Sequence, residues 1–261
     1  MQRSVTLREV AERAGVHPST VSRALNAGTR ELVNPVTTER VLQAARDLDY
    51  RPNSLARGLK INKTFAIGML IPDLTNPLFP PIVRGIEETL GTVDYTLILG
   101  NTDNDADREQ HLLASMMNRR VDGLILATAH RNTPAIDTVV AAGIPLVLVN
   151  RTVENHQVPA VTGDDHAGIG LAVRHLAELG HTRIAHIGGP QHLSTGLDRY
   201  GSFLAWLMLV GLEADPRLVA FADWYHEDPG AKAFRSLLDR RADFTAVVAA
   251  NDLIAIGCYD V

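Results

Sequence analysis

Short polar side chains and one arginine are concentrated in residues 17–26, HPSTVSRALN, near the start of the chain. If residues 18–25 form a helix, the polar groups available to a partner are those of Ser19, Thr20, Ser22, Arg23 and Asn26. Hydroxyl groups and an arginine on an exposed helix are suited to reading base edges in the major groove of DNA. The ordinary alternative is a helical hairpin whose polar face meets only solvent.

The residues around this stretch predict two short helices joined by a tight turn. Thr6 and Glu9 have the spacing of a capping box for the first helix, and Gly15 suits the left-handed residue that ends it. Pro18 stands where the second helix would begin. Apolar residues recur at helical spacing in both helices, at Leu7, Val10, Ala11, Ala14, Val21, Ala24 and Leu25.

A third helix is predicted after a polar loop at residues 27–33. Asn34 is a favourable cap for it, and Pro35 fits its first turn. An apolar stripe on this helix would close a three-helix core, and it consists of Val36, Val41, Leu42, Ala45 and Leu48.

Residues 50–63, YRPNSLARGLKINK, predict either a linker or a helix that forms only when a partner supports it. Asn53 can cap residues 54–60, but an isolated helix of two turns does not persist in water. Arg57, Lys60 and Lys63 make DNA phosphates a natural partner.

Charge is divided unevenly along the 261 residues. Residues 1–63 hold 11 Lys/Arg against 6 Asp/Glu, whereas residues 64–261 hold 14 against 24. A basic head on an acidic body indicates that the head meets a polyanion. The single cysteine, Cys258, and the lack of a secretion signal favour a reducing cytoplasm.

From residue 64 onward, apolar segments of strand length alternate with helical patterns, which predicts parallel sheets covered by helices. The strands are expected at 65–71, 95–100, 121–127, 144–150, 183–189, 218–222 and 244–251. A loop at 151–160 divides this α/β part into two lobes, with a crevice at the carboxyl ends of their strands. The expected domains are residues 1–50, 51–63, 64–160 and 161–261.

A catalytic or metal-binding alternative rests on a few polar clusters, namely His175, His181, His186, His192 and the run Asp164-Asp165-His166. No spacing among these residues matches a helix-borne zinc pair. Gly188, Gly189 and Gly196 lack the lysine of a phosphate loop, and no G-x-S-x-G motif occurs. We therefore expect no enzyme, no metal and no cofactor.

Seven segments in chain order carry a resemblance to a known family. They are VTLREVAERAGVHPSTVSRALN, TTERVLQAARDLDYRPNSLARGLK, IGMLIPDLTNPLFPPIVRGIEE, RRVDGLIL, IPLVLVNR, HLAELGHTRIAHIGG and VVAANDLIAIG. Across its whole length the chain resembles the lactose/purine repressor family of bacterial transcription regulators. The resemblance implies a cytoplasmic homodimer that binds a near-palindromic operator, with a small effector, sugar-like in view of the cleft side chains, bound between two lobes.

The family's DNA contacts carry over to thirteen positions: His17, Pro18, Ser19, Thr20, Ser22, Arg23, Asn26, Arg51, Asn53, Leu55, Ala56, Leu59 and Lys60. Ser19 and Arg23 match base-reading positions, and Leu59 matches a leucine that wedges into the minor groove. His17 replaces the usual capping serine, so we expect it to be a poor cap that touches a phosphate instead. Pro18 can give only apolar contact.

The family's effector contacts carry over to Asp73, Asn76, Phe79, Asn150, Arg199, Trp224 and Asn251. Trp224 or Phe79 could stack on the apolar face of a sugar, while Arg199 and the amides bind hydroxyl groups. The alternative for the two aromatic residues is core packing, and for Arg199 a surface ion pair with Asp198 or Asp223.

The family continues beyond the point at which ANDLIAIGCYDV ends this sequence. That difference predicts an incomplete second lobe and a C-terminally truncated protein. The competing functions are accordingly a truncated DNA-binding fragment that does not respond to effector and a free-standing sugar-binding protein.

Overall fold

The structure is a computed structural model that describes residues 5–50, 63–132, 134–154, 157–241 and 243–261. The chain divides into two compact units, an N-terminal unit (Met1–Thr64) and a C-terminal unit (Phe65–Val261). Each unit has its own buried core. Within the described ranges, no helix is both long and apolar enough to cross a membrane.

The N-terminal unit is a cluster of short helices around a core of valine and alanine. It contains α1 (Leu7–Ala14), α2 (Pro18–Leu25), a 3-10 helix (Ala27–Leu32) and α3 (Pro35–Asp47). The buried side chains are those of Val10, Ala11, Ala14, Val21, Ala24, Val41, Ala44 and Ala45. Small core residues bring the helices close together, but they bury little apolar surface.

The predicted helix ends of this unit are confirmed by hydrogen bonds. The Thr6 amide donates to the Glu9 carboxylate at 2.7 Å, and the Glu9 amide donates to the Thr6 hydroxyl at 3.4 Å. Gly15 has φ 61°, the left-handed conformation that a glycine adopts without strain. The Asn34 side chain accepts from the Val36 amide at 2.9 Å and so caps α3.

Two expectations for this unit were wrong. The polar loop after Asn26 is instead the 3-10 helix, which Asn26 caps by accepting from the Gly28 amide at 3.1 Å. Val36 does not join the apolar stripe, because it lies in the first turn of α3 with 78% of its surface exposed. The buried face of α3 instead includes Ala44 and the hydroxyl-bearing Thr38.

The first lobe of the C-terminal unit is a five-stranded parallel sheet flanked by helices. Its elements are β1 (Ala66–Ile71), α4 (Phe79–Gly91), β2 (Thr96–Asn101), α5 (Ala106–Asn118), β3 (Gly123–Leu126), α6 (Pro134–Ala141), β4 (Leu146–Val149) and β5 (Ala160–Val161). The strand order is β2-β1-β3-β4-β5. Helix α6 and one side of the sheet share a core that includes Leu124, Ile136 and Leu148. Phe79 of α4 packs in a separate core with Met69 and Ile71.

The second lobe repeats this plan around a smaller sheet. Its elements are α7 (Asp165–Glu178), β6 (Ile184–Gly188), α8 (Ser194–Leu209), a 3-10 turn (Pro216–Leu218), β7 (Val219–Phe221), α9 (Glu227–Asp239), β8 (Ala246–Ala249) and α10 (Asp252–Tyr259). The strands are parallel in the order β7-β6-β8, so the predicted edge strand at 218–222 lies at an edge. All five residues of the central strand β6 are buried.

The chain passes between the lobes through a segment that was expected to be a loop. Its end forms the short strand β5, which pairs with β4 in the register Leu148 with Ala160 and Val149 with Val161. The first sheet therefore extends to Val161 before α7 begins the second lobe.

Candidate functional site

Helix α2 presents the polar face that the sequence predicts. Ser19, Ser22 and Arg23 are exposed on it, whereas Thr20 and Pro18 are half-buried. Val21 and Ala24 point into the core, so the helix cannot turn its polar face inward without losing that packing. The arrangement leaves two hydroxyl groups and one guanidinium on the outer surface of α2.

His17 caps α2, so the expectation that it would be a poor cap was wrong. Its Nδ1 accepts from the Ser19 amide at 3.2 Å and lies 2.8 Å from the Ser19 hydroxyl oxygen. Because Nδ1 accepts from the amide, the hydroxyl also donates to it. The Ser19 oxygen then retains its lone pairs, and these suit a base amino group as the hydrogen-bond donor.

The remaining DNA candidates fall into two groups. The side-chain Oδ1 of Asn26 accepts from the Gly28 amide, so the side-chain NH₂ group of Asn26 remains for a phosphate. The candidates after Tyr50 lie outside the described residues, and they are Arg51, Asn53, Leu55, Ala56, Leu59 and Lys60.

A cleft of about 790 Å³ lies within the C-terminal unit. All seven effector candidates line it, namely Asp73, Asn76, Phe79, Asn150, Arg199, Trp224 and Asn251. Four of them follow the carboxyl ends of strands β1, β4, β7 and β8, where ligands bind in open parallel sheets. Residues distant in sequence therefore meet in one cavity.

Arg199 is held by three neighbours at the side of this cleft. Its Nε donates to Asp165 Oδ1 at 2.8 Å, and its Nη1 donates to the Ala250 carbonyl at 3.0 Å. The guanidinium carbon lies 5.4 Å from the centre of the Tyr225 ring. The alternative of an ion pair with Asp198 or Asp223 was wrong, because the partner is Asp165, whose side chain is 21% exposed.

Two asparagines of the cleft have their side-chain oxygens committed to local structure. Asn76 Oδ1 accepts from the Leu78 amide, and Asn251 Oδ1 accepts from the Ile254 amide at the start of α10, both at 3.0 Å. The NH₂ groups of these two residues remain as donors. Asn150 directly follows β4 and has φ 67°, a left-handed conformation that asparagine tolerates.

Asp73 has both carboxylate oxygens occupied. Oδ1 accepts from the Thr75 amide at 2.8 Å and from its hydroxyl at 2.7 Å, while Oδ2 lies 2.8 Å from His226 Nε2. Burial acts to raise the pKa of Asp73, but the hydrogen bonds from Thr75 and His226 outweigh it and lower that pKa. Asp73 is therefore an ionised carboxylate that already has its partners.

The two candidate aromatic residues differ in access to the cleft. Phe79 is only 2% exposed and packs against Met69 and Ile71, as in the packing alternative. Trp224 is half-buried, and its ring meets the His192 ring edge-on at a centroid distance of 5.4 Å. Trp224 thus has the more accessible ring for stacking against a ligand.

Arg151, which sequence reasoning missed as a site residue, lines the same cleft. It is 4% exposed, its Nη1 donates to the Thr128 carbonyl at 3.2 Å, and its buried Nε has no hydrogen-bond partner among the described residues. Burial lowers the pKa of Arg151 to about 10, with Tyr225 and the buried Glu109 acting in the opposite direction. The sequence feature that could have identified Arg151 is its position directly after Asn150, which is an effector candidate.

The histidines of the catalytic alternative have separate surroundings. His181 Nδ1 lies 2.8 Å from the Thr245 hydroxyl, and His186 Nδ1 lies 2.8 Å from the Val248 carbonyl inside the second lobe. The His192 ring meets the rings of His130 and Trp224 edge-on. In the part of the chain that the structure describes, no three His, Cys, Asp or Glu side chains are grouped to hold a metal ion.

Comparisons with known proteins match both units. Residues 6–53 match bacterial regulatory proteins of the lacI family, and residues 64–261 match periplasmic binding proteins and the sugar-binding domain of the LacI family. The ribose operon repressor of Halalkalibacterium halodurans is 36% identical over 252 residues, which cover 97% of this chain and 73% of that protein.

Two solved structures share the fold over nearly the whole chain. The transcriptional regulator CelR in complex with cellobiose is 33% identical with a TM-score of 0.69, covering 98% of this chain and 77% of that chain. The lac repressor dimer bound to operator and the anti-inducer ONPF is 26% identical with a TM-score of 0.80, covering 99% and 77%. The expected α/β fold with an N-terminal helix-turn-helix is thereby confirmed, and the chain belongs to the LacI family of bacterial DNA-binding transcriptional regulators.

Proposed function

We propose that this regulator reads its operator with helix α2 and adjusts its affinity when a small carbohydrate binds in the cleft of the C-terminal unit. The observation that carries the proposal is the meeting of all seven effector candidates in one cavity of about 790 Å³. The domain division is part of the proposal: residues 1–50 bind DNA, residues 51–63 connect, and two lobes meeting near Val161 bind the effector.

On the DNA side, Arg23 and Ser19 are proposed to read bases. An arginine can bind guanine through two hydrogen bonds, and the Ser19 oxygen can accept from an adenine or cytosine amino group. Thr20, Ser22, Asn26 and the capping residue His17 are proposed to fix the helix against the phosphates or neighbouring bases. The six candidates from Arg51 to Lys60 are proposed to support the operator centre, with Leu59 as the minor-groove wedge.

On the effector side, the lining of the cleft includes several N–H donors. The amides of Asn76 and Asn251 and the remaining N–H groups of Arg199 suit a ligand rich in oxygen acceptors. A sugar has such oxygens and an apolar ring face for Trp224. The names of the relatives agree with this class, since one is a ribose operon repressor and another was solved with cellobiose.

The proposed assembly is a homodimer in the cytoplasm, where the operator DNA lies. Two copies related by a two-fold axis would read the two halves of a near-palindromic site. The solved lac repressor, a dimer on its operator, supports this arrangement. Catalysis is not part of the proposal, because the family consists of regulators.

The DNA proposal is tested by measuring affinity for candidate operators and for scrambled DNA over a series of salt concentrations. We expect a strong salt dependence for both, because phosphate contacts release counterions, and a clear preference for the operator. Equal affinity for operator and scrambled DNA at every salt concentration would contradict sequence-specific regulation.

The effector proposal is tested by thermal shift with ribose, cellobiose, other sugars and purines, because a ligand that binds the folded state raises Tm. The variant Trp224→Leu should lose the shift caused by any sugar that binds. The matched control is Phe221→Leu, which removes an aromatic ring from the adjacent strand and should keep the thermal shift. Phe221 is 43% exposed. If none of these ligands raises Tm, the sugar-effector proposal is wrong.

A further inference from the structure

One side-chain contact joins the two lobes directly across the cleft. Asp73 follows β1 in the first lobe, and His226 precedes α9 in the second, 153 residues later. His226 Nε2 lies 2.8 Å from Asp73 Oδ2, within hydrogen-bond distance. Both residues line the cleft, so the contact spans the space that a ligand would occupy or border.

Asp73 is prepared for this contact by its own turn. Thr75 binds Oδ1 through both its amide and its hydroxyl, which fixes the carboxylate and leaves Oδ2 for His226. The Asp73 side chain is only 14% exposed, whereas that of His226 is 42% exposed. A carboxylate already held on one side loses little further freedom when the histidine reaches it.

His226 makes the contact instead of capping its own helix. It occupies the N-cap position of α9, yet its side chain forms no capping hydrogen bond. The helix begins through the backbone, where the Gly230 amide donates to the His226 carbonyl at 3.2 Å. The imidazole is consequently available for Asp73, with Glu227 Oε2 at 3.4 Å from its other nitrogen.

Other described contacts between the lobes involve residues 191–194 of the second lobe, and one of them is the edge-on meeting of the His130 and His192 rings at a centroid distance of 5.1 Å. The Thr152 amide donates to the Ser194 hydroxyl at 2.9 Å. Arg131, paired with Glu154 of the crossing segment, donates from Nη1 to the Gln191 carbonyl at 3.2 Å. Such contacts can persist while the lobes rotate about the crossing segment, but the Asp73–His226 contact cannot persist if the lobes separate.

We propose that Asp73 and His226 form a clasp that holds the two lobes closed and thereby sets the affinity of the cleft for its effector. Asp73 is then a positioning residue that acts through His226, and not the direct ligand contact that the family resemblance implies. This inference rests on the proposed effector function. A ligand that both lobes bind requires the closed state, so its apparent affinity is proportional to the fraction of closed molecules.

The clasp is tested without ligand by measuring the distance between spin labels on the two lobes. The labels are placed on cysteines introduced at the exposed positions Gln110 and Arg235, in a chain carrying Cys258→Ala. We expect His226→Ala to raise the ratio of open to closed molecules about fivefold, the order expected for one partly exposed charge-assisted hydrogen bond. His226→Gln, which keeps an N–H donor, should restore most of the closed population.

Two controls separate the clasp from a general loosening. Asp223→Ala removes a carboxylate that is 79% exposed on the same loop, and it should leave the distances unchanged. Asp73→Ala alone should raise the open population relative to the wild type. The double variant Asp73→Ala/His226→Ala should be little more open than His226→Ala, because the shared contact is already lost. An unchanged distance distribution in His226→Ala, or a fully open wild type, would overturn the clasp.

The same variants separate this inference from the effector proposal. If a sugar raises Tm of the wild type, His226→Ala should weaken its affinity by the same factor as the closed population falls, which is at most about fivefold. A changed distance with unchanged affinity would overturn the link between clasp and affinity. If none of the sugars binds the wild type, the effector proposal fails, whereas the spin-label distances still decide whether the clasp exists.

Discussion

The candidate DNA-reading surface and the candidate effector cleft are built in opposite ways. The described DNA candidates come from ten consecutive residues, 17–26, and the base-reading ones are exposed. The seven cleft candidates come from five separate segments between Asp73 and Asn251, and most of them are half-buried. One surface follows from a single helix, whereas the other exists only where the ends of parallel strands converge.

The cleft also adds long-range polar contacts to local ones of the kind found in the N-terminal unit. In the N-terminal unit, His17 and Asn26 bind backbone amides two residues away. In the cleft, Arg199 reaches Asp165 and Ala250, which lie 34 and 51 residues away in the chain. Local bonds survive changes elsewhere in the chain, whereas the cleft depends on correct packing of both lobes. Substitutions in the two regions should therefore change stability and binding in different ways.

The largest expected effect is that of Gly196→Ala in α8. A Cβ there would lie 2.0 Å from the Pro190 carbonyl oxygen, and a backbone atom cannot move aside cheaply. We expect a loss of about 3 kcal/mol in stability, together with loss of sugar binding. Both tryptophans, Trp206 and Trp224, lie in the C-terminal unit, so tryptophan fluorescence during urea unfolding reports on that unit alone.

The matched control is Gly201→Ala on the same helix, where the added Cβ meets no described atom within 4 Å other than those of its chain neighbours and its own helix backbone. It should raise the free energy of unfolding by about 0.5–1 kcal/mol, because alanine favours a helix over glycine. Equal stability of the two variants would show that the close approach at Gly196 is not required.

Acid should destabilise the second lobe through His186. Burial lowers the pKa of this residue to about 4, below the value near 6.5 expected in the unfolded chain. The contribution of His186 to the free energy of unfolding is therefore largest above pH 6.5, where the side chain is neutral in both states. It falls as the pH is lowered from 6.5 towards 4, because the unfolded chain then binds a proton that the folded chain does not. Between pH 7 and pH 5 the loss should be about 2 kcal/mol.

The measurement is urea unfolding at several pH values, followed by tryptophan fluorescence. His186→Leu should flatten the pH dependence by about this amount, since it removes the buried proton-binding group. His175→Leu, a change at an exposed position of α7, should keep the wild-type profile. A profile for His186→Leu that matches the wild type would assign the acid sensitivity to other groups.

Arg23→Ala should weaken operator binding about tenfold or more without changing the stability of either unit. The side chain is exposed, so its removal costs a DNA contact and leaves the core intact. Fluorescence anisotropy with labelled operator DNA measures the affinity, and circular dichroism measures the stability. Arg84→Ala, which removes an exposed arginine of α4, is the control for net charge and should bind like the wild type.

The smallest expected effect distinguishes the two roles considered for His17. If His17 acts as a cap, His17→Ala should destabilise the N-terminal unit by about 1 kcal/mol, and His17→Asn should restore that stability. Operator affinity would then also be retained in His17→Asn. Retained stability with weakened affinity in His17→Asn would instead assign a phosphate contact to the histidine.

Local patterns were sufficient to predict the three α-helices of the N-terminal unit and the turn between the first two. Thr6, Gly15 and Asn34 have conformations set by neighbours within four residues, and each lies where its residue type predicts. Val36 shows the limit of periodicity, because a residue in the first turn can satisfy the apolar spacing and still lie beyond the core. His17 shows a similar limit, since imidazole as a cap is uncommon but geometrically possible.

The cleft residues could be named from the family resemblance, but their partners could not. The contacts of Arg199 with Asp165, of Arg151 with the Thr128 carbonyl and of Asp73 with His226 all join distant segments. Single-sequence spacing carries no information on such pairs, because the distance between two segments depends on sheet order and helix packing.

The sequence by itself determined the helix-turn-helix, the alternation of strands and helices, and the residue types that face DNA or a ligand. These properties arise from hydrogen bonds and apolar periodicity over a few residues. The tertiary structure alone decided that Phe79 is buried, that Trp224 is accessible and that Asp73 is bound to His226 across the lobes. Burial and pairing of this kind depend on which surfaces the folded chain brings together.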